Sequence, residues 1–435
     1  MRIVKYSELD ETIFHYKEMQ EIGSVKEILN GVARHGDRAV RKYTLEYDGV
    51  ELRQFQLEKA RQAALQQVDE KTRSVLEASA KNIRQFARRQ MEQLQDFEFE
   101  IQSGVITGQK VIPLDRVGVY VPAGRFPLPS TLLMCAIPAK VAGVGEIIVC
   151  SPPTFNGTIH PAILAAAEIA GVDEVFRIGG VQAIGAMAYG TESIKPVDKI
   201  VGPGNKYVAY AKKEVYGRVG IDFIAGPTEV LILADEAANP AFIAADLLAQ
   251  AEHDPDATPI LITTSSKLAY NVSSEVTRQL NQLRTKEVAS QSIENNGIIV
   301  IVENSDEAIE IANRMAPEHL ELQTKHPENY VNKLKKYGSL FIGEYAAEVL
   351  GDYSSGLNHT LPTNTTARYT GGLSVKDFVK FQTTLRVTAE GLNSIGPTAK
   401  HLGELEGLHG HTRAIDIRMQ PGLARSDREL RNVKK

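Results

Sequence analysis

Residues 146–178, EIIVCSPPTFNGTIHPAILAAAEIAGVDEVFRI, decide the fold. Glu146-Ile-Ile-Val-Cys150 and Glu174-Val-Phe-Arg-Ile178 are short, largely apolar runs, and between them Pro161 to Ala170 is an alanine-rich segment opened by proline. The two runs predict strands buried on both faces, and proline at a first turn predicts a helix. Strand, crossover helix, strand is the unit from which parallel sheets are built. Working outward, Gln182 to Tyr189 reads as a further helix and Lys199-Ile-Val201 as a strand. A second series follows: strand Glu229-Val-Leu-Ile-Leu233, helix 239–251, strand Pro259-Ile-Leu-Ile-Thr263, helix 266–284, strand Gly297 to Val302 and helix 305–315. The expected fold class is α/β, with two Rossmann-like parallel-sheet lobes that part near Ala225-Gly-Pro-Thr228.

Before these lobes the chain is charge-rich and helical in pattern. Ser24-Val-Lys-Glu27 reads as a helix start with Ser24 as N-cap, and 70–96 carries Val75, Leu76, Ile83, Phe86 and Met91 at helical spacing. The arginines between Arg84 and Arg89 are interleaved with apolar residues and followed by Glu92 and Asp96, the pattern of a solvated helix face. After residue 366 the pattern degrades into a polar segment with too few apolar positions for its own core. The expected division is therefore a helical N-terminal region at 1–104, a first α/β lobe at 105–224, a second at 225–365 and an extended C-terminal arm at 366–435.

A chain of 435 residues, 43% hydrophobic and 24% charged, has the make-up of a multidomain globular protein. Its net charge of -5 gives no electrostatic case for nucleic acid or an anionic membrane. The N-terminus has no apolar signal core, and no run is long enough to span a bilayer. Cys135 and Cys150, the two cysteines, lie in apolar stretches without metal-ligand spacing and read as reduced core residues of a cytoplasmic protein. Any zinc must then be held by nitrogen and oxygen.

Four segments carry candidate chemistry. Pro317-Glu318-His319 sets an acid beside a base; adjacent residues of a regular strand point to opposite faces, so both enter one pocket only from an irregular turn, which Pro317 favours. Gln250 and His253, three apart at a helix end, share one face. Asp352 lies in Gly351-Asp-Tyr-Ser-Ser-Gly356, where a carboxylate also serves as a turn residue, and His411 closes Glu406-Gly-Leu-His-Gly-His411. Seven of the ten histidines lie at or beyond residue 253. Imidazoles and carboxylates together suit zinc and proton transfer. Gly202-Pro-Gly204-Asn-Lys-Tyr207 follows a strand and opens a helix in the manner of a dinucleotide-binding turn, although Tyr207 stands at the third glycine position. Gly179-Gly180-Val-Gln182 occupies the same place after its strand, and both loops belong at the carboxyl edge of one sheet. Glycine-rich strand-to-helix turns also serve structure alone.

Taken in order, Arg116-Val-Gly-Val-Tyr120-Val-Pro, Pro129-Ser-Thr-Leu-Leu-Met134, Gly202-Pro-Gly-Asn205, Ala225-Gly-Pro-Thr-Glu229, Gln250-Ala-Glu-His253, Ala316-Pro-Glu-His-Leu-Glu321, Gly351-Asp-Tyr and Glu406-Gly-Leu resemble the histidinol dehydrogenase family across nearly the whole chain. That resemblance implies a cytoplasmic, zinc-dependent homodimer that oxidises L-histidinol to L-histidine through L-histidinal with two NAD+. It implies Gln250, His253, Asp352 and His411 as zinc ligands, Glu318 and His319 as the acid–base pair, and Tyr120, Gln182 and Asn205 as NAD contacts. It adds Thr228 and Glu406 as substrate contacts beside Gln250, His253, His319, Asp352 and His411, and an arm that crosses to the partner subunit.

Two positions depart from the family pattern. Thr228 stands where many members have serine, which keeps the hydroxyl, and Pro122-Ala-Gly-Arg125 replaces the commoner Pro-Gly-Gly. Arg125 leaves open a paralogous zinc and NAD dehydrogenase for another small hydroxylated, anionic substrate. Glu406 argues against an anion. A two-lobed binding protein without catalysis is the reading from another class, and the Glu318-His319 pair counts against it.

Overall fold

The computed structural model describes residues 1–57, 60–123, 126–154 and 157–420, without the side chains of 60–63. Arg125 and the last residues of the arm, 421–435, lie outside the described residues. The chain forms two compact units, one of 1–91 with 114–378 and one of 92–113 with 379–435.

The first unit holds both parallel sheets. In one, the strands Arg116–Tyr120, Glu146–Ser151, Glu174–Arg177, Lys199–Val201 and Gly220–Ile221 pair in parallel. Arg116–Tyr120 lies inside, with the next two strands to one side and the last two to the other. The direction of winding thus reverses between Arg116–Tyr120 and Lys199–Val201. Such a reversal opens a crevice at the carboxyl ends of the strands, where open α/β sheets bind ligands. The helix Gly23–Asp48 packs on helix Gly180–Tyr189, with Leu29 and Val32 against Ile184 and Met187 in one core. It begins one residue ahead of Ser24, whose side chain is therefore not its cap.

The other parallel sheet has six strands. Arg2–Lys5 sits at one edge, followed by Ile298–Ile301, Thr258–Thr263, Glu229–Ala234, His319–Gln323 and Ser339–Ile342. The charged pattern of the N-terminal region hid its opening strand, which pairs in parallel with Ile298–Ile301. His319–Gln323 is an interior strand, paired on both sides. Its alternation divides its duties. Leu320 and Leu322 face a dry core shared with Leu231 and Leu233, while His319, Glu321 and Gln323 share the other face. Each fully buried leucine stabilises by roughly 1.5–3 kcal/mol, a gain set against the cost of burying polar groups opposite.

The second unit is built on an antiparallel sheet, Val379–Val387 on Val105–Pro113 on Phe97–Gln102, followed by helices Ala389–Leu405 and His409–Arg418. The sequence pattern did not reveal this sheet. Its first two strands sit at the expected border of the helical region and the first lobe, and its third lies in the expected arm. Val105 and Val379 are buried, yet Phe97, Phe99, Ile101, Phe381 and Leu385 are exposed. Among the described residues no helix is long and apolar enough to cross a membrane.

Candidate active site

Helix Ser305–Met315 ends at Ala316 in the left-handed conformation, and Pro317 leads into the strand that opens with His319. This turn brings Glu318 and His319 to one place, with Glu318 Oε2 3.7 Å from His319 Nδ1. Both are almost fully buried. Among the described residues only Ala316, Asn364 and Thr365 adopt positive φ without being glycine. Ala316 stands two residues before Glu318, and Asn364 N donates to Glu229 Oε1 at 2.9 Å. Backbone strain of this kind gathers at functional sites.

His319 Nδ1 lies 3.0 Å from the Glu229 carbonyl oxygen, an acceptor, so this nitrogen carries a hydrogen. Among the described residues, the buried Nε2 has no hydrogen-bond partner; Asp352 Oδ1, at 3.7 Å, is too far to serve. Burial pushes the imidazole pKa down, but Glu318, Asp352 and Glu348 outweigh it and hold the pKa well above the ordinary value. A positive charge entering the pocket offsets that field and frees Nε2 as a base.

Burial raises the pKa of Glu318, against the opposing pull of His319, the Thr228 hydroxyl and the Glu229 amide. Thr228 Oγ1 and Glu229 N both donate to Glu318 Oε2. Burial also pushes Glu229 up to about 7 and Glu348 well above the usual carboxylate range. Carboxyls raised in this way are held toward their neutral form until a cation enters and favours their ionisation, so the pocket suits a cation over an anion.

Gln250 and His253 come from the end of helix Pro240–Ala251 and the turn after it. The Gln250 carboxamide is fully buried, with its nitrogen toward Glu348 Oε1 (3.0 Å) and its oxygen toward Glu229 N (2.9 Å). His253 keeps an exposed edge although protein surrounds most of its ring, and burial lowers its pKa, a shift the open edge tempers. Asp352 sits on the short helix Glu348–Tyr353 rather than in a loop. Burial pushes its carboxyl up, but the neighbouring imidazoles, His319 first, prevail and hold it below its ordinary value. Among the described residues no three His, Cys, Asp or Glu side chains are grouped to hold a metal ion. The donor types nonetheless suit a divalent cation with nitrogen and oxygen ligands: a carboxylate kept ionised, an imidazole kept neutral and an amide. Both cysteines are free and buried, their thiols pushed up to about 12 by burial.

The first sheet presents Tyr120 at the end of its strand, where the Tyr120 hydroxyl accepts from Gly180 N at 3.1 Å. Gln182 is buried near the start of helix Gly180–Tyr189, and Asn205 caps helix Lys206–Val215, accepting from Tyr207 N and Val208 N at 3.1 Å each. That cap occupies the oxygen of Asn205 and leaves its amide nitrogen for a ligand. Gly202 adopts φ 112°, and a Cβ there would strike the Tyr120 carbonyl oxygen, so only glycine lets the loop lie on this strand end. Tyr120 and the Gly202 loop therefore flank the crevice where the winding reverses.

Glu406 and His411 belong to the second unit, at the end of helix Ala389–Leu405 and in helix His409–Arg418, and both are exposed. Sequence reasoning missed Glu348, Glu321 and Asp246. Gln323 Nε2 donates to Glu321 Oε2 (2.7 Å) and Asp246 Oδ2 (2.9 Å), and Glu348 N donates to Glu321 Oε1 (3.1 Å). Burial and the charge of Asp246 push Glu321 up to about 8. The alternation His319-Leu-Glu321-Leu-Gln323 held the signal for Glu321; Glu348 had none.

The family described as histidinol dehydrogenase matches residues 14–419. The histidinol dehydrogenase of Lactiplantibacillus plantarum is 48% identical over 396 residues, 91% of this chain and 92% of its own. That of Methanocaldococcus jannaschii is 47% identical over 398 residues, with the same coverage of 91% and 92%. The crystal structure of histidinol dehydrogenase from Elizabethkingia anophelis matches with a TM-score of 0.91 at 37% identity, over 96% of this chain and 98% of that one.

Proposed function

Since this chain belongs to the histidinol dehydrogenase family and is an NAD-dependent dehydrogenase of histidine biosynthesis, we propose that it oxidises L-histidinol through L-histidinal to L-histidine with two NAD+. The observation that carries this reading is His319, whose Nδ1 is committed to a carbonyl and lies 3.7 Å from Glu318 Oε2, and whose buried Nε2 has no hydrogen-bond partner among the described residues. Histidinol is a cationic alcohol, which the surrounding carboxylates favour and an anionic substrate would not enjoy.

In the first oxidation His319 Nε2 takes the hydroxyl proton as hydride leaves the adjacent carbon for NAD+. The aldehyde must add water before a second hydride can leave. Glu318, its pKa raised by burial, takes the proton of that water, and His319 serves again as the hydrate is oxidised. General-base steps of this kind contribute ~10²–10⁴-fold. Thr228 fixes the Glu318 carboxylate and offers its hydroxyl to the substrate. Tyr120, Gln182 and Asn205 hold NAD at the first sheet's carboxyl edge.

Gln250, His253, Asp352 and His411 would hold zinc, which when bound orients the substrate by its nitrogen atoms and polarises it. In this reading 105–224 is the cofactor lobe, 225–365 carries the catalytic groups, and the arm 366–435 crosses to a second copy in a cytoplasmic homodimer. The arm would supply Glu406 for the substrate ammonium and His411 for the metal. Two features support the crossing: Glu406 and His411 are exposed within their own unit, and the apolar side chains Phe97, Phe99, Phe381 and Leu385 lie uncovered there.

Single-turnover NADH formation from histidinol and from supplied histidinal tests the assignment of roles. His319→Asn slows both reactions, while Glu318→Gln chiefly slows histidinal oxidation, by ~10²–10⁴-fold. Equal impairment of both steps in Glu318→Gln would overturn the division of labour.

A further inference from the structure

The carboxyl edge of the first sheet carries an acid that the mechanism does not use. Asp48 is the last residue of helix Gly23–Asp48, and Gly49, at φ 68°, turns the chain away at once. Gln182 Nε2 donates to Asp48 Oδ2 at 3.3 Å, and the same turn places Gly180 N on the Tyr120 hydroxyl. Asp48, Gln182 and Tyr120 therefore form one polar row beside the crevice. We propose that Asp48 is a specificity-determining residue of the cofactor site, its carboxylate accepting a ribose hydroxyl of NAD and repelling the ribose phosphate of NADP. This rests on the reading that Tyr120 and Gln182 contact NAD.

Three physical points favour a ligand role over a structural one. A carboxylate at the C-terminal end of a helix sits in the negative field of the free carbonyls, where a cation belongs. Among the described residues no cationic side chain is paired with Asp48, and burial pushes its pKa up to about 6. Its placement thus costs stability, as groups held ready for a ligand do. Its link to Gln182 is long, and one bond leaves most of a carboxylate's acceptor capacity open. Carboxylates that accept the ribose 2′-hydroxyl distinguish NAD from its 2′-phosphorylated form in other dinucleotide sites, although there they follow a strand rather than end a helix.

The test compares wild type with Asp48→Asn and Asp48→Ala. It measures NAD and NADP binding by titration calorimetry, the KM for each cofactor, and thermal stability. Asp48→Asn, isosteric with the native side chain, serves if the alanine variant does not fold. The expected result is about a 10- to 100-fold loss of NAD affinity, as for a lost hydrogen bond to a charged group. Preference for NAD over NADP falls with it, while the KM for histidinol is unchanged and the melting temperature is equal or higher. Unchanged NAD affinity and preference, or equal losses for both cofactors, would overturn the proposal. Tyr120→Phe and Gln182→Ala are measured alongside. If they weaken NAD while Asp48→Asn does not, Asp48 alone is refuted; if none of the three does, the cofactor reading itself falls.

Discussion

Replacing Lys212 by methionine orphans a buried carboxylate directly beneath the proposed cofactor loop. Lys212 Nζ pairs with Asp222 and donates to the Gly202 carbonyl at 2.9 Å, while Asp222 Oδ2 accepts from Gly202 N at 2.8 Å. The two side chains are 3% and 1% exposed, so water screens neither. Methionine keeps the aliphatic stem and its packing, which leaves loss of the ion pair as the main effect. Breaking a buried pair by removing one partner costs about 3–5 kcal/mol. The amides of Gly202 and Phe223 still donate to Asp222, which places the cost toward the lower end. Urea denaturation of the single variant should show that loss as a lower midpoint with an unchanged slope. Adding Asp222→Asn should recover most of it, because no charge then stays buried alone. NAD affinity falls in the single variant as Gly202 loses its clamp. A loss below about 1 kcal/mol, the scale of an exposed pair, or a double variant no more stable than the single one, would refute the argument.

Two further outcomes follow from the charges and from the arm. Glu321, with a folded-state pKa pushed from 4.5 up to about 8, binds a proton that the unfolded chain has released, so its burial weighs against the fold increasingly as pH rises through that window. Glu321→Gln should therefore gain stability over wild type between about pH 4.5 and 8 and hold a constant advantage above; a gap that shrinks with rising pH in thermal melts would contradict the shift. Dissociating and reassociating inactive His411→Asn with inactive His319→Asn should restore roughly a quarter of wild-type activity if subunits pair at random and arms are exchanged, whereas mixed dimers without activity would exclude the exchange.

The two parallel sheets were legible because their strands are buried on both faces and read as apolar runs, as in Glu146–Ser151 and Glu229–Ala234. Arg2–Lys5 was not, since an edge strand of mixed polarity carries no such run. The antiparallel sheet escaped for a related reason. Phe97–Gln102 alternates apolar with polar residues, yet it is exposed along its length, and Val379–Val387, which pairs with the other side of Val105–Pro113, is remote in sequence. At the candidate site, the turn at Pro317 was readable from local rules, and the structure places Glu318 and His319 in one pocket. Glu348 and Asp246 were invisible because they reach the site through tertiary packing alone. Asp352 was read as a loop residue because glycine precedes it; instead Gly351 lies inside a helix, where a Cβ would press into the Phe341 ring.

The central claim is that this pocket carries one substrate through two successive oxidations. The direct measurement is the ratio of NADH formed to L-histidinol consumed by the zinc-loaded protein, with the product identified by mass. The account predicts two NADH per histidinol and L-histidine as product, with both lost in His319→Asn. One NADH per histidinol with free aldehyde, or turnover that survives His319→Asn, would contradict it.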